Sequence, residues 1–243
     1  MDTVYSPTEQ VGEYTVLRIL GEGRYGICYL VSKDNKQYIL KQLKRNMLKK
    51  IGHKANYEPE ILKTLNHKRI PKFIEKLEYD KFLGYILELK EGKTLEEIIF
   101  IDNYVFSKEE IFNIAIQLID ILKYLHGKGI VHRDIRVPNV LYNLGEIHLV
   151  DFGLARWVNE DRYVETVDFS YFGDFLLHLL YTAYNVENEQ EKPWYEELDL
   201  PKEEMIFLKR LLGMEEVYKD INQVENELLK IKQNIKNKKD LII

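Results

Sequence analysis

The sequence has almost no cysteine and no long apolar stretch. Cys28 is the one cysteine in 243 residues, so neither an internal disulfide framework nor the repeated cysteine spacing of a zinc site can form. A membrane-spanning helix would need about 18 or more consecutive apolar residues, and Met1 to Thr3 do not begin a signal-peptide pattern. We therefore expect a cytoplasmic protein with no membrane-spanning segment.

Excess positive charge is also absent, because the formal net charge is −5 at pH 7. Such a balance provides no long-range attraction to nucleic acid or to an anionic membrane surface. A basic run near the start of the chain consists of Lys44, Arg45, Lys49, Lys50 and Lys54. No Phe, Tyr or Trp lies among these residues to stack on nucleic-acid bases. We interpret this run as a solvated face and expect neither a nucleic-acid partner nor a membrane partner.

The first part of the chain has a strand pattern that glycines interrupt. Strand-favouring residues run from Tyr14 to Leu20 and from Ile27 to Val31, and the loop between them carries Gly21, Glu22, Gly23 and Gly26. Asp34 and Asn35 then predict a turn, after which 37–43 return as a strand. In a dinucleotide-binding fold a helix would have to follow these glycines. The pattern therefore indicates either a plain hairpin or a flap whose backbone N–H groups approach phosphates.

From about Thr94 the apolar residues recur at helical spacing. A long amphipathic helix is predicted after Ser107, which forms a capping-box pattern with Glu110, and it should end at Gly127. Shorter helical patterns cover 205–212 and 224–231. This change of period separates a β-rich first part of the chain from a helical second part.

Three polar residues after the long helix share one chemistry. Asp134 can accept the proton of an attacking hydroxyl, and Asn139 and Asp151 offer the oxygen ligands that Mg²⁺ prefers. Phosphoryl transfer needs positioning and charge neutralisation more than covalent chemistry, so a base and two metal ligands supply much of what the reaction requires. A base followed by two metal ligands matches the known pattern of a site for phosphoryl transfer from ATP with Mg²⁺.

The motifs resemble those of eukaryotic-type (Hanks-type) Ser/Thr protein kinases. The run His132-Arg133-Asp134-Ile135-Arg136-Val137-Pro138-Asn139 resembles H-R-D-L-x-x-x-N, Asp151-Phe152-Gly153 resembles D-F-G, and Tyr38-Ile39-Leu40-Lys41 stands where these kinases have V-A-I-K. The motifs follow each other in kinase order and at kinase distances, and the resemblance covers the chain from Tyr14 to about Leu228. The many Lys, Ile, Asn, Glu and Tyr residues are typical of an AT-rich genome and indicate a bacterial member.

The resemblance implies an α+β, bilobal protein-kinase-like fold. An antiparallel β-rich N-lobe with one helix is expected over about 12–89, and a mostly α-helical C-lobe over about 92–231, with the nucleotide between them. A basic C-terminal tail follows at 232–243. The whole chain, 1–243, is then a single protein kinase domain.

The resemblance also implies a role for each motif residue. Asp134 is the expected base, Asn139 and Asp151 are the expected Mg²⁺ ligands, and Arg136 stands where these kinases usually have the lysine that neutralises the γ-phosphate. Further ATP contacts are expected from the glycine loop, from the residues around adenine and from the hinge: Gly21, Glu22, Gly23, Gly26, Cys28, Ile39, Leu87, Glu88 and Lys90.

Lys41 is expected to hold the α- and β-phosphates of ATP while it pairs with a helix glutamate. Spacing favours Glu58 as that catalytic partner and leaves Glu60 as the second possibility. Pro59 lies between them and suits only the first turn of a helix. An outward, inactive position of Glu58 is therefore also open.

The segment that follows Gly153 departs from the kinase pattern. Only residues 154–167 separate Gly153 from a run that begins at Asp168 and resembles D-x-x-S-x-G. In that motif the aspartate braces the catalytic loop, which here is the run from His132 to Asn139. No A-P-E motif occurs, and the sequence has no arginine at Tyr218 or Lys219, where the arginine that pairs with its glutamate is expected. Trimmed segments of this kind are found in RIO-type kinases and in the kinase of the tRNA-modifying KEOPS complex.

The sequence therefore predicts an ATP- and Mg²⁺-dependent Ser/Thr protein kinase. The short segment suggests that the enzyme acts mainly on itself or depends on an unidentified partner protein, and it leaves only Tyr163 and Thr166 as phosphate acceptors for Arg133 to clamp. One alternative is a nucleotide-binding scaffold or ATPase acting in a complex. Another is a small-molecule kinase, against which Arg133 and the short chain argue.

Overall fold

The computed structural model describes residues 3–23, 26–46, 52, 57–79, 82–159, 162–184 and 192–240, with 235–240 described by their backbone alone. The chain divides into two compact units, Met1–Lys90 and Glu91–Ile243. Lys49, Lys50 and Lys54 of the basic run lie outside the described residues, as do Arg24 and Tyr25 of the glycine loop.

The first unit is built on an antiparallel sheet. Its strands are β1 (Gln10–Val11), β2 (Tyr14–Glu22), β3 (Gly26–Lys33), β4 (Lys36–Leu43), β5 (Phe73–Tyr79) and β6 (Phe82–Glu88), and their order in the sheet is β1-β2-β3-β4-β6-β5. Asp34 and Asn35, with φ of 49° and 60°, form the turn between β3 and β4. The predicted turn is confirmed, because a two-residue hairpin favours left-handed values that Asp and Asn tolerate.

The two faces of this sheet differ in what covers them. Tyr29 and Leu40 are fully buried on one face, where Tyr5 from the N-terminal segment packs edge-on against Tyr29 with ring centroids 6.2 Å apart. Because side chains alternate along a strand, the neighbours of Leu40 on β4, Ile39 and Lys41, lie on the opposite face. That opposite face carries the residues that the sequence assigns to ATP.

Helix α1 (Tyr57–Thr64) also belongs to the first unit. Pro59 lies in its first turn, where a backbone N–H has no partner within the helix, so the proline fits there without disrupting the helix. Ile61 and Leu62 are buried. Glu58 shares the first turn with Pro59 and is itself buried.

The second unit is mainly helical. Its helices are α2 (Leu95–Phe100), α3 (Lys108–His126), α4 (Thr166–Tyr181), α5 (Trp194–Glu197), α6 (Lys202–Leu211) and α7 (Ile221–Asp240). Its strands are β7 (Lys93–Thr94), β8 (Ile130–Val131), β9 (Val140–Asn143), β10 (Glu146–Leu149) and β11 (Arg156–Trp157), which form the sheets β10-β9-β7 and β11-β8. The antiparallel sheet of the first unit and the helices of the second confirm the α+β class.

The long helix α3 begins as the sequence predicts. The Ser107 side chain accepts a hydrogen bond from the backbone N–H of Glu110, and the Glu110 carboxylate accepts one from the backbone N–H of Ser107. The end of the helix differs in detail, because Gly127 remains right-handed with φ of −62°. The left-handed position that is typical of helix ends falls at Gly129, with φ of 64°.

The predicted helices at 205–212 and 224–231 are present as α6 and α7. Helix α7 continues to Asp240, so most of the segment predicted as a tail is helical instead. The segment is rich in lysine, which favours a helix, and it contains no glycine or proline that would end one. No helix in the described part of the chain is both long and apolar enough to cross a membrane.

Candidate active site

The strand register brings several predicted ATP-binding residues onto one face of the first sheet. Cys28 on β3 is the register partner of Lys41 on β4. On the other side of β4, Ile39 is the register partner of Leu87 and Lys41 is the register partner of Tyr85 on β6. Register partners point to the same side of a sheet. These side chains therefore form one patch around the Lys41 ammonium.

Lys41 pairs with Glu58. The Lys41 Nζ lies 2.5 Å from the Glu58 Oε1, and the two side chains are only 15% and 11% exposed. Burial strengthens such a pair because water screens it less. Glu60, on the same helix turn, is exposed. Of the two glutamates that the sequence leaves open, the structure brings Glu58 to Lys41, and Pro59 does not turn Glu58 outward.

Tyr85 adjoins this ion pair and was missed by the sequence reasoning. It lies opposite Lys41 on β6 and is only 1% exposed. Burial raises the pKa of the Tyr85 phenol well above its usual value, and the negative charge of Glu58 raises it further. Tyr85 is therefore a neutral side chain beside Glu58. Its position depends on the pairing register of two distant strands, for which the residues themselves carry no signal.

The glycine loop joins β2 to β3. The backbone N–H of Gly23 donates to the Gly26 carbonyl over 2.9 Å, and Lys44 pairs with Glu22 at 2.5 Å. A Cβ atom at Gly26 would lie 2.2 Å from the Gln42 carbonyl oxygen, whereas one at Gly21 or Gly23 would meet nothing within 4 Å. Gly26 is thus required by the close approach of β4, and the other two glycines leave space around the loop backbone.

The predicted hinge residues are held by contacts within the first unit. The Glu88 backbone N–H donates to the Lys72 carbonyl over 2.9 Å. The Lys90 Nζ lies 3.0 Å from the Glu88 Oε2 and donates to the Lys68 carbonyl. The first of these contacts uses the Glu88 backbone N–H, and the others hold both side chains against the segment that precedes β5.

In the second unit, the candidate base is tightly held. Asn139 Nδ2 donates to the Asp134 Oδ2 over 2.8 Å and to the Asp134 carbonyl over 2.9 Å. The Arg136 Nε lies 3.0 Å from the Asp134 Oδ1. The structure thus brings together three residues that the sequence assigned to the reaction. Both carboxylate oxygens of Asp134 have a nitrogen donor, which fixes the orientation of the carboxylate.

Asp168, in the first turn of α4, holds the backbone just before Asp134. Its Oδ2 accepts the backbone N–H of His132 over 2.9 Å, and its Oδ1 accepts that of Arg133 over 2.7 Å. The His126 Nε2 lies 2.9 Å from the Asp168 Oδ2, and the Asp168 side chain is fully buried. Hydrogen bonds to a buried carboxylate are strong, and the N-terminus of α4 favours its negative charge.

The backbones of the two candidate Mg²⁺ ligands come close together because the residues flank two paired strands. Asn139 immediately precedes β9 and Asp151 closely follows β10, and the strands pair through Val140 and Leu149. The backbone N–H of Val150 donates to the Asn139 carbonyl over 2.9 Å. An amide and a carboxylate offer the hard oxygen donors that suit Mg²⁺, which usually takes water and phosphate oxygens as its remaining ligands.

Asp151 has an unusual backbone conformation. Its φ is 61°, in the left-handed region, and its Oδ1 accepts the backbone N–H of Gly153 over 3.3 Å. The next residue, Phe152, is buried and meets the buried His132 ring edge-on, with ring centroids 4.6 Å apart. The left-handed turn therefore separates a buried aromatic anchor from an exposed carboxylate.

Comparison with known proteins agrees with this geometry. The family model of the protein kinase domain matches residues 14–184. The probable serine/threonine-protein kinase YbdM of Bacillus subtilis (strain 168) is 36% identical over 232 residues, which are 92% of this chain and 91% of that protein. The probable serine/threonine-protein kinase fhkE of Dictyostelium discoideum is 32% identical over 64% of this chain and 22% of its own length.

The match to the family model covers most of the chain, and the Bacillus relative is similar over nearly its whole length. Both agree with the ATP-dependent Ser/Thr protein kinase activity that the motifs predict, and this prediction is confirmed. The chain belongs to the protein kinase family and is a serine/threonine kinase.

Proposed function

We propose that this kinase transfers the γ-phosphoryl group of ATP to a protein hydroxyl with Asp134 as the base. The observation that carries the proposal is the fixed carboxylate of Asp134, with Asn139 on one oxygen and Arg136 on the other. Asp134 takes the proton of the hydroxyl while the hydroxyl oxygen bonds to the γ-phosphorus. The bond from that phosphorus to the β,γ-bridging oxygen then breaks, and ADP leaves.

Lys41 and Arg136 bring positive charge to the phosphates. Lys41, held by Glu58, is assigned to the α- and β-phosphates, and Arg136 to the γ-phosphate. Arg136 is half exposed and has a forked set of donors, so it can release one contact to Asp134 and bind phosphate oxygens. Asn139 and Asp151 would hold Mg²⁺, which when bound neutralises charge on the phosphates. The glycine loop, the patch on the first sheet and the hinge are assigned to the rest of ATP.

The proposed recipient is restricted. The segment from 154 to 167 is short and lacks A-P-E. The arginine that would pair with that motif is expected at Tyr218 or Lys219, and neither position carries one. Tyr218 is buried, with the Arg210 guanidinium 3.9 Å from the centre of its ring. We therefore infer a reduced platform for peptides, as in RIO-type kinases, and activity directed to the kinase itself or dependent on a partner protein. The single cysteine supports a cytoplasmic location.

The test uses ATP labelled on the γ-phosphate, with Mg²⁺, the purified protein and a generic basic protein as acceptor. Wild-type protein is expected to label itself, and Asp134→Asn should abolish labelling while ATP binding persists. Asp174→Asn is the matched control, because Asp174 is an exposed residue of α4. Retention of transfer by Asp134→Asn would remove Asp134 as the base, and absence of transfer by wild type with ATP bound would favour a scaffold.

The recipient is tested with the inactive variant as substrate. Asp134→Asn protein carrying a size tag is mixed with untagged wild type, so that transfer between molecules labels the tagged band. Labelling of that band but not of the generic protein supports restriction to the kinase itself. Rapid labelling of the generic protein contradicts the proposed restriction without affecting the assignment of Asp134.

A further inference from the structure

Arg133 is the residue just before the proposed base, and both its backbone and its side chain are fixed. Its φ is 66°, a left-handed value that is uncommon for arginine. Its backbone N–H is bound by Asp168. Its Nη1 donates to the Leu154 carbonyl over 3.2 Å, and its guanidinium carbon lies 4.6 Å from the centre of the Tyr163 ring. That second distance is within the range of a cation–π contact.

Tyr163 is itself fixed in the segment that follows Gly153. Its backbone N–H donates to the Asn159 carbonyl over 2.9 Å, and the Asn159 N–H donates back to the Tyr163 carbonyl over 2.8 Å. A second guanidinium, that of Arg162, lies 5.5 Å from the centre of the same ring. The Tyr163 ring therefore lies within cation–π reach of two arginines, and one of them, Arg133, belongs to the catalytic loop.

The start of the same segment is joined to the strand that enters the catalytic loop. Strand β11 pairs with β8, and the Val158 N–H donates to the Gly129 carbonyl over 2.7 Å. Strand β8 ends at Val131, one residue before His132. The segment is thus attached to the catalytic loop by a backbone ladder at its start and by the contact of Arg133 with Tyr163 further along.

We infer that Tyr163 is a positioning residue, whose unmodified ring holds Arg133 and so keeps Asp134 in place without a phosphate on the segment. This inference rests on the proposed role of Asp134. The ring provides the Arg133 guanidinium with the electron-rich partner that a phosphate would otherwise supply, and the Leu154 carbonyl provides a hydrogen-bond acceptor. Phosphorylation of Tyr163 or Thr166 is therefore not required for transfer.

The test compares substitutions that keep or remove the aromatic ring, in protein treated with phosphatase and shown by intact mass to carry no phosphate. Tyr163→Phe keeps the ring and should stay within about twofold of wild-type kcat, whereas Tyr163→Leu keeps bulk only and should lose about tenfold. KM for ATP should not change in either variant. Tyr171→Leu, on the exposed side of α4, is the matched control.

Two further measurements separate the contact from general packing. In the Arg133→Met background, Tyr163→Leu should cause little additional loss, because the contact is already gone. Hydrogen exchange should show faster exchange at the Val158 and Tyr163 amides in Tyr163→Leu but not in Tyr163→Phe. The exchange experiment gives a result even if the protein transfers no phosphate, so failure of the proposed base and failure of this inference can be told apart.

Three results would overturn the inference. The first is a Tyr163→Leu variant as active and as protected from exchange as Tyr171→Leu. The second is a Tyr163→Phe variant as impaired as Tyr163→Leu, which would assign the role to the hydroxyl or its phosphate. The third is a phosphate-free wild type that stays inactive until the segment is phosphorylated.

Discussion

At the scale of single residues, the buried carboxylate of Asp168 connects the stability of the fold to the geometry of catalysis. It accepts two backbone N–H groups and contacts His126. Asp168→Asn keeps the size of the side chain but removes its charge. It also places the amide NH2 group, a donor, against a backbone N–H group that needs an acceptor. We expect a loss of about 2–4 kcal/mol in the free energy of unfolding and a large loss of transfer. Urea unfolding measures the first, and Asp174→Asn, which should change neither, is the control.

The choice of Glu58 over Glu60 also belongs to the residue scale. Glu58→Gln removes the charge that holds Lys41, so the transfer rate should fall about tenfold to 100-fold, as for the loss of a charge-assisted hydrogen bond. Glu60→Gln, two residues away and exposed, should have no effect. Steady-state rates at several ATP concentrations measure both variants. Equal losses in the two would contradict the pairing seen here.

At the scale of elements, the glycines of the loop between β2 and β3 differ in the space around them. Gly26 lies against β4 and Gly21 does not, so one pair of substitutions tests whether that close approach matters for stability. Gly26→Ala places a Cβ atom 2.2 Å from the Gln42 carbonyl oxygen, so β3 and β4 must move apart at a cost of about 1–3 kcal/mol. Gly21→Ala has open space around it and should leave the melting temperature unchanged. Thermal unfolding of the two variants measures the difference. A Gly26→Ala protein as stable as Gly21→Ala would show that the strands adjust freely.

The capping box of α3 makes part of the stability depend on pH. Hydrogen bonds from Ser107 lower the pKa of Glu110 below its ordinary 4.5. A lowered pKa means that this stabilisation is complete above the ordinary value and is lost as pH falls through the folded-state pKa. Ser107→Ala should reduce stability by about 1 kcal/mol at pH 7. The difference from wild type in urea unfolding should shrink as the pH is lowered below 4.5, and a constant difference would contradict the role of Glu110.

The elements that the sequence predicts well are those whose causes are local. The turn at Asp34 and Asn35, the capping box at Ser107 and the place of Pro59 in the first turn of α1 each depend on residues a few positions apart. What the sequence could not show depends on pairing between distant segments. Tyr85 reaches Lys41 only through the register of β4 and β6, and Tyr163 reaches Arg133 only through the path of the segment after Gly153.

At the scale of the whole molecule, the order of motifs along the chain carried the prediction of function. The family was predictable because the glycine loop, Lys41, the catalytic loop and the candidate metal ligands follow one another along the same chain. Individual roles were harder, since each of these residues alone has an ordinary structural explanation. Because ATP would bind only the folded protein, its binding should be visible in the stability of the chain.

ATP with Mg²⁺ should raise the melting temperature, because a ligand that binds only the folded protein stabilises it by about 2.7 kcal/mol at 100 times its dissociation constant. Addition of EDTA should remove most of that shift if Asn139 and Asp151 bind ATP through Mg²⁺. Asp151→Ala should show the smaller shift even with Mg²⁺ present. A shift that EDTA leaves intact would remove these two residues as metal ligands.

At Asp151 the left-handed backbone costs stability, while the carboxylate is needed for the proposed binding of Mg²⁺. Glycine adopts that conformation freely, so Asp151→Gly would relieve strain of ~1 kcal/mol and remove the carboxylate in the same step. A lineage released from selection for phosphoryl transfer would then lose its activity without losing its fold. A relative with glycine at this position would fold stably without transferring phosphate. Its stability would therefore be no evidence that it is an enzyme.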